Sequence, residues 1–378
     1  MTGASPAVAP PPPAARRDGP RPGLAVVSLT EPGDGIAYVA RLLRAALRDL
    51  GGADPRVVAL SPASAGAVSL RERGSFLARL AAESARSGGG GWIFNHLGIA
   101  QAQRWVPAPL RRPYAVFLNG IEAWDPALSP ARVAAVRGAR ARVAISAYTR
   151  RRVLAAHPEV GPVDACPLGL LDDAPAGTVD AALLERVGPL AVLVVARMSA
   201  AERYKGHDQL IECWPRLLER VPGAQLVVAG RGDDAERLRR KAAAAGLAEH
   251  ALFLGFVPDA TLEALFRRAA VFAMPSRGEG FGLVYLQAMR AGLPCVGSSA
   301  DAAGDVVVHG DTGLLVDPLD PPALADALAR LLGDAALRGR MGEAGRRRFR
   351  AEFTFARFRD RLAPILAGAF GEPAPGGR

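Results

Sequence analysis

Cysteine is scarce in these 378 residues: there are three, and they stand far apart. Cys166, Cys213 and Cys295 fit neither a metal-ligand spacing nor a disulfide framework, so buried reduced thiols in a reducing, cytoplasmic setting are expected. Lysine is scarcer still, since only Lys205 and Lys241 stand among the 47 basic residues. Aromatic residues make up 6%, and no nucleic-acid-binding module is visible, which argues against a nucleic-acid partner. No uncharged apolar run reaches the roughly 18 residues of a spanning helix. Residues 1–22 are rich in Ala and Pro and lack an apolar h-region. They read as a disordered arm and not as a secretory signal.

What is present points to two cores. The hydrophobic fraction is 50%, and the length suits two domains of ordinary size better than one. The net charge of +10 is almost all arginine. A GC-rich coding bias would give the same abundance of Ala, Gly, Pro and Arg. Even so, a basic surface attracts anionic substrates or an anionic membrane leaflet.

Short apolar runs alternate with helical patterns along the whole chain. Strands are expected at 24–29, 56–60, 91–95, 114–118, 142–145 and 163–166, then at 191–196, 225–229, 252–254, 271–274, 294–297 and 313–316. Helices are expected at 36–50 and 149–157 in the first half, and at about 206–220, 234–245, 259–269 and 282–291 in the second. This alternation implies an α/β fold with parallel sheets covered on both faces. The break falls in a turn-rich stretch, Asp172–Gly177. Expected units are an N-terminal Rossmann-like domain over 23–170, a linker over 171–187 and a C-terminal Rossmann-like domain over 188–352. A last helix over 353–370 and a disordered tail over 371–378 complete the chain.

The densest chemistry follows the expected strand 271–274. Pro275-Ser276-Arg277-Gly278 breaks the chain at the strand's carboxyl end, and Glu279-Gly280-Phe281-Gly282 leads into a helix. Bare amides at a helix N-terminus hold anions, while a carboxylate on the same loop grips hydroxyls. Such a loop suits a ligand with an anionic part and a hydroxyl-rich part. A second loop, Arg197 to Asp208, carries Arg197 at a strand end and Lys205 before a helix. These cations can flank a diphosphate, one as a planar fork and one as a point charge. Gly230-Arg231-Gly232 reads as a tight turn and lacks the third glycine of a dinucleotide fingerprint. The 36–50 helix carries Arg41, Arg44 and Arg48 on one face, either a solvated face or a membrane-surface patch.

The segment Glu279 to Met289 resembles the glutamate-x7-glutamate signature of retaining GT-B glycosyltransferases, family 4 (glycosyl transferases group 1) in particular. The resemblance runs from about Leu24 to Gly368 and is densest in 191–318. One residue departs from it, since the family's second glutamate falls on Gln287. The resemblance implies two Rossmann-like domains facing a cleft, with the terminal helix crossing back onto the first. It implies that Arg197 and Lys205 hold the donor's phosphates, that Glu279 holds sugar hydroxyls, and that the amides of Phe281, Gly282, Leu283 and Val284 face sugar and phosphate, with Gly280 also in the donor site. Gln287 then meets the ribose, more weakly than a carboxylate would. Gly230 and Arg231 line the nucleotide pocket, the backbone of Phe256 and Val257 reads the base, and Gly35 lies in the glycine-rich turn Glu31–Gly35 beside the phosphates. His96, at the end of an N-domain strand, contacts the transferred sugar. Asn119 and Glu122, in Asn119-Gly120-Ile121-Glu122, take the place of the family's His-Gly-x-Glu segment and border the acceptor.

The expected activity is therefore retaining transfer of a hexose-type sugar from UDP- or GDP-sugar to a hydroxyl acceptor. It needs no metal and no cofactor beyond the nucleotide sugar as co-substrate. A cytoplasmic location, with peripheral contact at the inner face of the membrane as an option, goes with it. The base, the sugar, the acceptor and the oligomeric state stay open. Two rivals share the architecture: a non-hydrolysing nucleotide-sugar epimerase, and a degenerate, non-catalytic partner protein suggested by Gln287 and Asn119.

Overall fold

A computed structural model describes residues 21–30, 34–60, 68–86, 90–173 and 177–371. Residues 1–20 of the expected arm, Glu31, Pro32 and Gly33, residues 174–176 and residues 372–378 of the expected tail lie outside the described residues. Arg21, at the end of the expected arm, is tied down, because its carbonyl accepts the Arg56 guanidinium at 3.3 Å.

Among the described residues, twelve parallel strands form two six-stranded sheets. The first sheet has the order β2-β1-β3-β4-β5-β6. Its strands are β1 (Gly23–Val26), β2 (Val57–Ala59), β3 (Trp92–Phe94), β4 (Tyr114–Leu118), β5 (Ala141–Ala144) and β6 (Asp164–Ala165). The second has the order β12-β11-β10-β7-β8-β9. Its strands are β7 (Ala191–Val195), β8 (Gln225–Ala229), β9 (Ala251–Gly255), β10 (Val271–Met274), β11 (Cys295–Ser298) and β12 (Gly313–Val316). The central strands are apolar on both faces because helices cover both; every residue of β4 and β10 is buried.

Both sheets are doubly wound, and each has a point where strand order reverses. It falls between β1 and β3 in the first sheet and between β7 and β10 in the second. Loops at the carboxyl ends of those strands form the natural ligand crevice.

The chain does not run as a free linker all the way from 171 to 187. Its second half holds the helix Ala181–Glu185, capped by Asp180, whose carboxylate accepts the Leu183 amide at 3.0 Å. The Asp180 amide donates to Thr261 Oγ1 at 2.9 Å, so this part belongs with the second sheet. The turn-rich stretch Asp172–Gly177 precedes this anchored part.

The helix Phe355–Phe370 returns to the first sheet. Phe358, Leu362, Leu366 and Ala369 recur at helical spacing and are buried in one core with Leu24 and Leu43. Arg359 pairs with Asp49 at 2.6 Å, and Arg361 donates to the Pro167 carbonyl at 2.9 Å. Of the arginines on the helix Gly35–Gly51, Arg44 pairs with Asp54 at 3.2 Å and Arg41 donates to the Leu29 carbonyl at 3.3 Å. Only Arg48 of the three has no such contact among the described residues, which weakens the membrane-patch reading of that face. No helix among the described residues is long and apolar enough to cross a membrane.

Candidate active site

After β10 the chain turns through Pro275–Gly282 and enters the helix Leu283–Ala291. Gly282 has φ +90°, and the Tyr285 ring stands 2.5 Å from where a Cβ would sit, so only glycine fits. The Tyr285 hydroxyl donates to the Met274 carbonyl at 2.6 Å, pinning the helix start to the strand end. No side chain caps this helix, which leaves its first amides free for an anion. Leu283, Val284 and Gln287 form its half-buried face.

The second loop meets the first here. Gly206, at φ +91°, lies so close that a Cβ would stand 2.7 Å from the Pro275 carbonyl. The Arg277 amide donates to the Tyr204 carbonyl at 2.9 Å. This zipping brings Lys205 Nζ within 2.7 Å of Glu279 Oε2, and both side chains are only 17% exposed. Burial alone would lower the Lys205 ammonium, but Glu279 and Tyr204 beside it outweigh that and hold it above its ordinary value. Arg197 is exposed and pairs with Glu202 at 2.6 Å. The other oxygen of Glu202 is buried with no partner among the described residues. Each cation of the expected diphosphate site thus faces a carboxylate.

The β8 loop locks the Lys205 loop from outside. A Cβ on Gly230 would stand 1.9 Å from the Ala196 carbonyl, and one on Gly232 2.0 Å from that of Met198. That proximity lets the Met198 amide reach the Arg231 carbonyl at 3.0 Å and the Asp233 carboxylate receive the Ala200 amide at 2.9 Å. Buried Asp234 then holds Arg203 and Arg237, and these guanidiniums keep its carboxyl well below the usual range. Arg237 and Lys241 lower Asp208 to about 2 in the same way. Sequence reasoning missed this network, because its only local sign was acidic residues near helix starts.

Farther out, the Arg231 guanidinium lies 5.1 Å from the Phe256 ring centroid, and Phe256 is 51% exposed. Val257, in contrast, is buried, so its side chain cannot face a ligand and only its backbone is available.

On the facing sheet, Asn95 at the end of β3 is the hub. Its Oδ1 accepts the Val27 amide at 3.1 Å and its Nδ2 donates to the Ile36 carbonyl at 3.1 Å. Its own carbonyl accepts Asn119 Nδ2 at 2.8 Å. Asn95 therefore ties together the loops after β1, β3 and β4, a role its sequence position did not reveal. His96 Nδ1 accepts the Gly98 amide at 2.9 Å, which places the proton of the neutral ring on Nε2. Burial lowers His96 from its ordinary value against the opposing charges of Glu122 and Asp34, so the ring is neutral at pH 7. Glu122 Oε1 accepts the Asn119 amide at 2.8 Å. Asn119 Oδ1 is buried without a partner among the described residues. Gly35 opens the helix after the β1 loop, and a Cβ there would meet nothing within 4 Å.

The two halves touch directly. The Gly280 carbonyl accepts the Ser146 hydroxyl at 2.7 Å and the Thr149 hydroxyl at 2.9 Å. A Cβ on Gly280 would stand 2.1 Å from the Asn119 carbonyl. Asp305 Oδ2 accepts the Tyr148 amide at 2.5 Å, and the Tyr148 hydroxyl donates to the Ala300 carbonyl at 3.0 Å. Phe281 is buried, 6.1 Å from the Phe353 ring. Gly280 and Phe281 are therefore interdomain packing residues, and only their amides remain for a ligand. One seam collects Lys205, Glu279, Asn119, Glu122 and His96, while Arg231 and the exposed Phe256 lie on the loops after β8 and β9.

Two doubly wound sheets meeting over this seam define the GT-B class of fold. Solved structures agree: Anabaena HepE in complex with UDP superposes with a TM-score of 0.71 at 17% identity, over 91% of this chain and 99% of that one. Sucrose-phosphate synthase from Thermosynechococcus elongatus gives 0.71 at 21% identity, over 92% and 98%. Residues 180–348 match the model of the family glycosyl transferases group 1. A GDP-mannose-dependent alpha-(1-6)-phosphatidylinositol monomannoside mannosyltransferase of Mycolicibacterium smegmatis is 36% identical over 233 residues, 59% of this chain and 61% of that protein. Glycogen synthase of Mycobacterium tuberculosis is 35% identical over 196 residues, 52% and 47% of the respective chains. The matches span 61% or less of those relatives' length.

Proposed function

We propose that this protein transfers a hexose from a GDP- or UDP-sugar to a hydroxyl acceptor, with retention of configuration and without a metal ion. The Lys205–Glu279 pair at 2.7 Å, set at the strand-order reversal beside uncapped helix amides, carries this reading. A diphosphate arriving there takes over Lys205 and Arg197 and displaces their carboxylate partners. Glu279 is then released toward the sugar hydroxyls, with the Nε2–H of His96 as a donor on the opposite wall. As the bond from C1 to the diphosphate oxygen breaks, the cations and amides stabilise the charge on the leaving group. The acceptor oxygen bonds to C1 on the same face, and its proton passes to the departing phosphate oxygen. Asn119 and Glu122 border the acceptor.

The relative named for GDP-mannose makes that donor the first to test. The exposed Arg231–Phe256 pair offers a face on which a base can stack. A cytoplasmic place of action fits three free, buried cysteines. The deciding experiment is a thermal-shift and transfer screen against GDP, UDP and their hexose conjugates. One nucleotide sugar is expected to raise the melting temperature by mass action and to yield a product with the donor's anomeric configuration. Binding of none of them contradicts the proposal. Gln287→Glu supplies a charge-assisted acceptor to the ribose hydroxyls, and donor affinity is expected to tighten by roughly tenfold. A dissociation constant that stays the same or weakens rejects the ribose assignment.

A further inference from the structure

Asp301 lies in the turn after β11 and is 4% exposed. Its Oδ1 accepts the Ala303 amide at 2.9 Å. Its Oδ2 accepts the Glu279 amide at 3.2 Å and also the hydroxyl of fully buried Ser276. One residue on, the Ala302 amide donates to the Glu279 carbonyl at 3.2 Å. Both backbone polar groups of Glu279 are therefore held by the 301–302 turn, while its side chain is held by Lys205.

We infer that Asp301 is a positioning residue, whose ionised carboxylate clamps the Glu279 backbone and aims the Glu279 side chain into the cleft. The inference rests on the proposed role of Glu279 toward the donor sugar. The clamp spans two strand-end loops, after β10 and after β11. It works because a carboxylate accepts several hydrogen bonds at once, whereas a protonated one must give up an acceptor site to its own O–H.

The groups facing Asp301 are Ser276 and Glu279 from the β10 loop, Tyr285 from the following helix and the Ala303 amide of its own turn. No cation pairs with it among the described residues. Burial consequently pushes it up to about 6, against the lowering by Ser276 and the Ala303 and Glu279 amides, with the Glu279 charge adding to the rise. Protonation near pH 6 then frees the Glu279 amide. A folded-state value raised above the unfolded one near 4 gives stability that is full below pH 4 and is lost as pH rises through 6. Clamping and global stability thus change in opposite directions with pH.

The test uses the full chain with Asp301→Asn and Asp301→Ala, titrated with GDP and GDP-mannose or with the pair the donor screen selects. GDP affinity is expected to stay within about twofold, while the sugar nucleotide loses about tenfold. Wild-type kcat is expected to fall as pH drops through 6, and Asp301→Asn should lack that limb. Equal weakening of both ligands, or a wild-type pH profile in Asp301→Asn, overturns the clamp. If the wild type binds no nucleotide, the functional proposal fails, and the clamp is judged on melting temperatures alone. The stability of wild type relative to Asp301→Asn must then decline between pH 5 and 7, and a constant difference refutes it.

Discussion

Lys205→Met is expected to lower sugar transfer by about a thousandfold while leaving the fold in place. Methionine keeps the length and apolar stem of lysine but removes the ammonium that the leaving diphosphate needs. No nearby group replaces it: Lys241 is engaged by Asp208 and Glu212, and Arg197 is more than half exposed. The loss should appear mainly in kcat, because the charge on the diphosphate develops fully only as the sugar departs. GDP or UDP affinity should fall as well, by about tenfold. Global stability should fall somewhat, since Glu279, only 17% exposed, loses its cation, while its backbone partners keep the loop in place. Wild-type turnover in this variant would remove the phosphate role from Lys205.

Gly280→Ala should open the seam. The added methyl would lie 2.1 Å from the Asn119 carbonyl and 3.1 Å from Gly120 Cα, both of them backbone atoms that cannot rotate away. The domains must separate locally, which stretches the bonds from Ser146 and Thr149 to the Gly280 carbonyl. Overpacking of this kind costs about 1–3 kcal/mol. Activity should drop further, by roughly a hundredfold, because Glu279 and the wall bearing His96 and Asn119 shift apart by a sizeable fraction of an ångström. A lowered melting temperature together with that drop is the expected result. An unchanged rate would mean that the seam plays no part in aligning the two walls.

The fold was largely legible because parallel strands covered on both faces are unbroken apolar runs, and all twelve expected runs correspond to strands. The ends moved where backbone chemistry intervened. β11 starts at Cys295 rather than at Pro294, which has no N–H for the ladder. The helix Leu70–Arg86 gave little signal, because only Phe76, Leu80 and Ser84 of it are buried. The loops carrying Lys205 and Glu279 were legible as a strand-end cation and a glycine-rich carboxylate loop. Asn95, Asp234 and Asp301 were not, since each ties in partners from other loops, as Asp234 does with Arg203 besides its neighbour Arg237. For Asp301 the nearest partner on the Glu279 loop is 22 residues away, and for Asn95 the Val27 contact spans 68. No local pattern announces such contacts. Phe281 and Val257 are assigned by motif register through their backbone, and their buried side chains leave only that backbone for a ligand.

The most direct measurement is a crystal structure of the wild-type chain with the nucleoside diphosphate that binds most tightly in the screen. The diphosphate should lie between Lys205 Nζ and the first amides of the helix Leu283–Ala291, with Glu279 turned away from Lys205 toward the position of the sugar. A nucleotide bound elsewhere, or a complex in which the Lys205–Glu279 pair stays closed, would contradict the account.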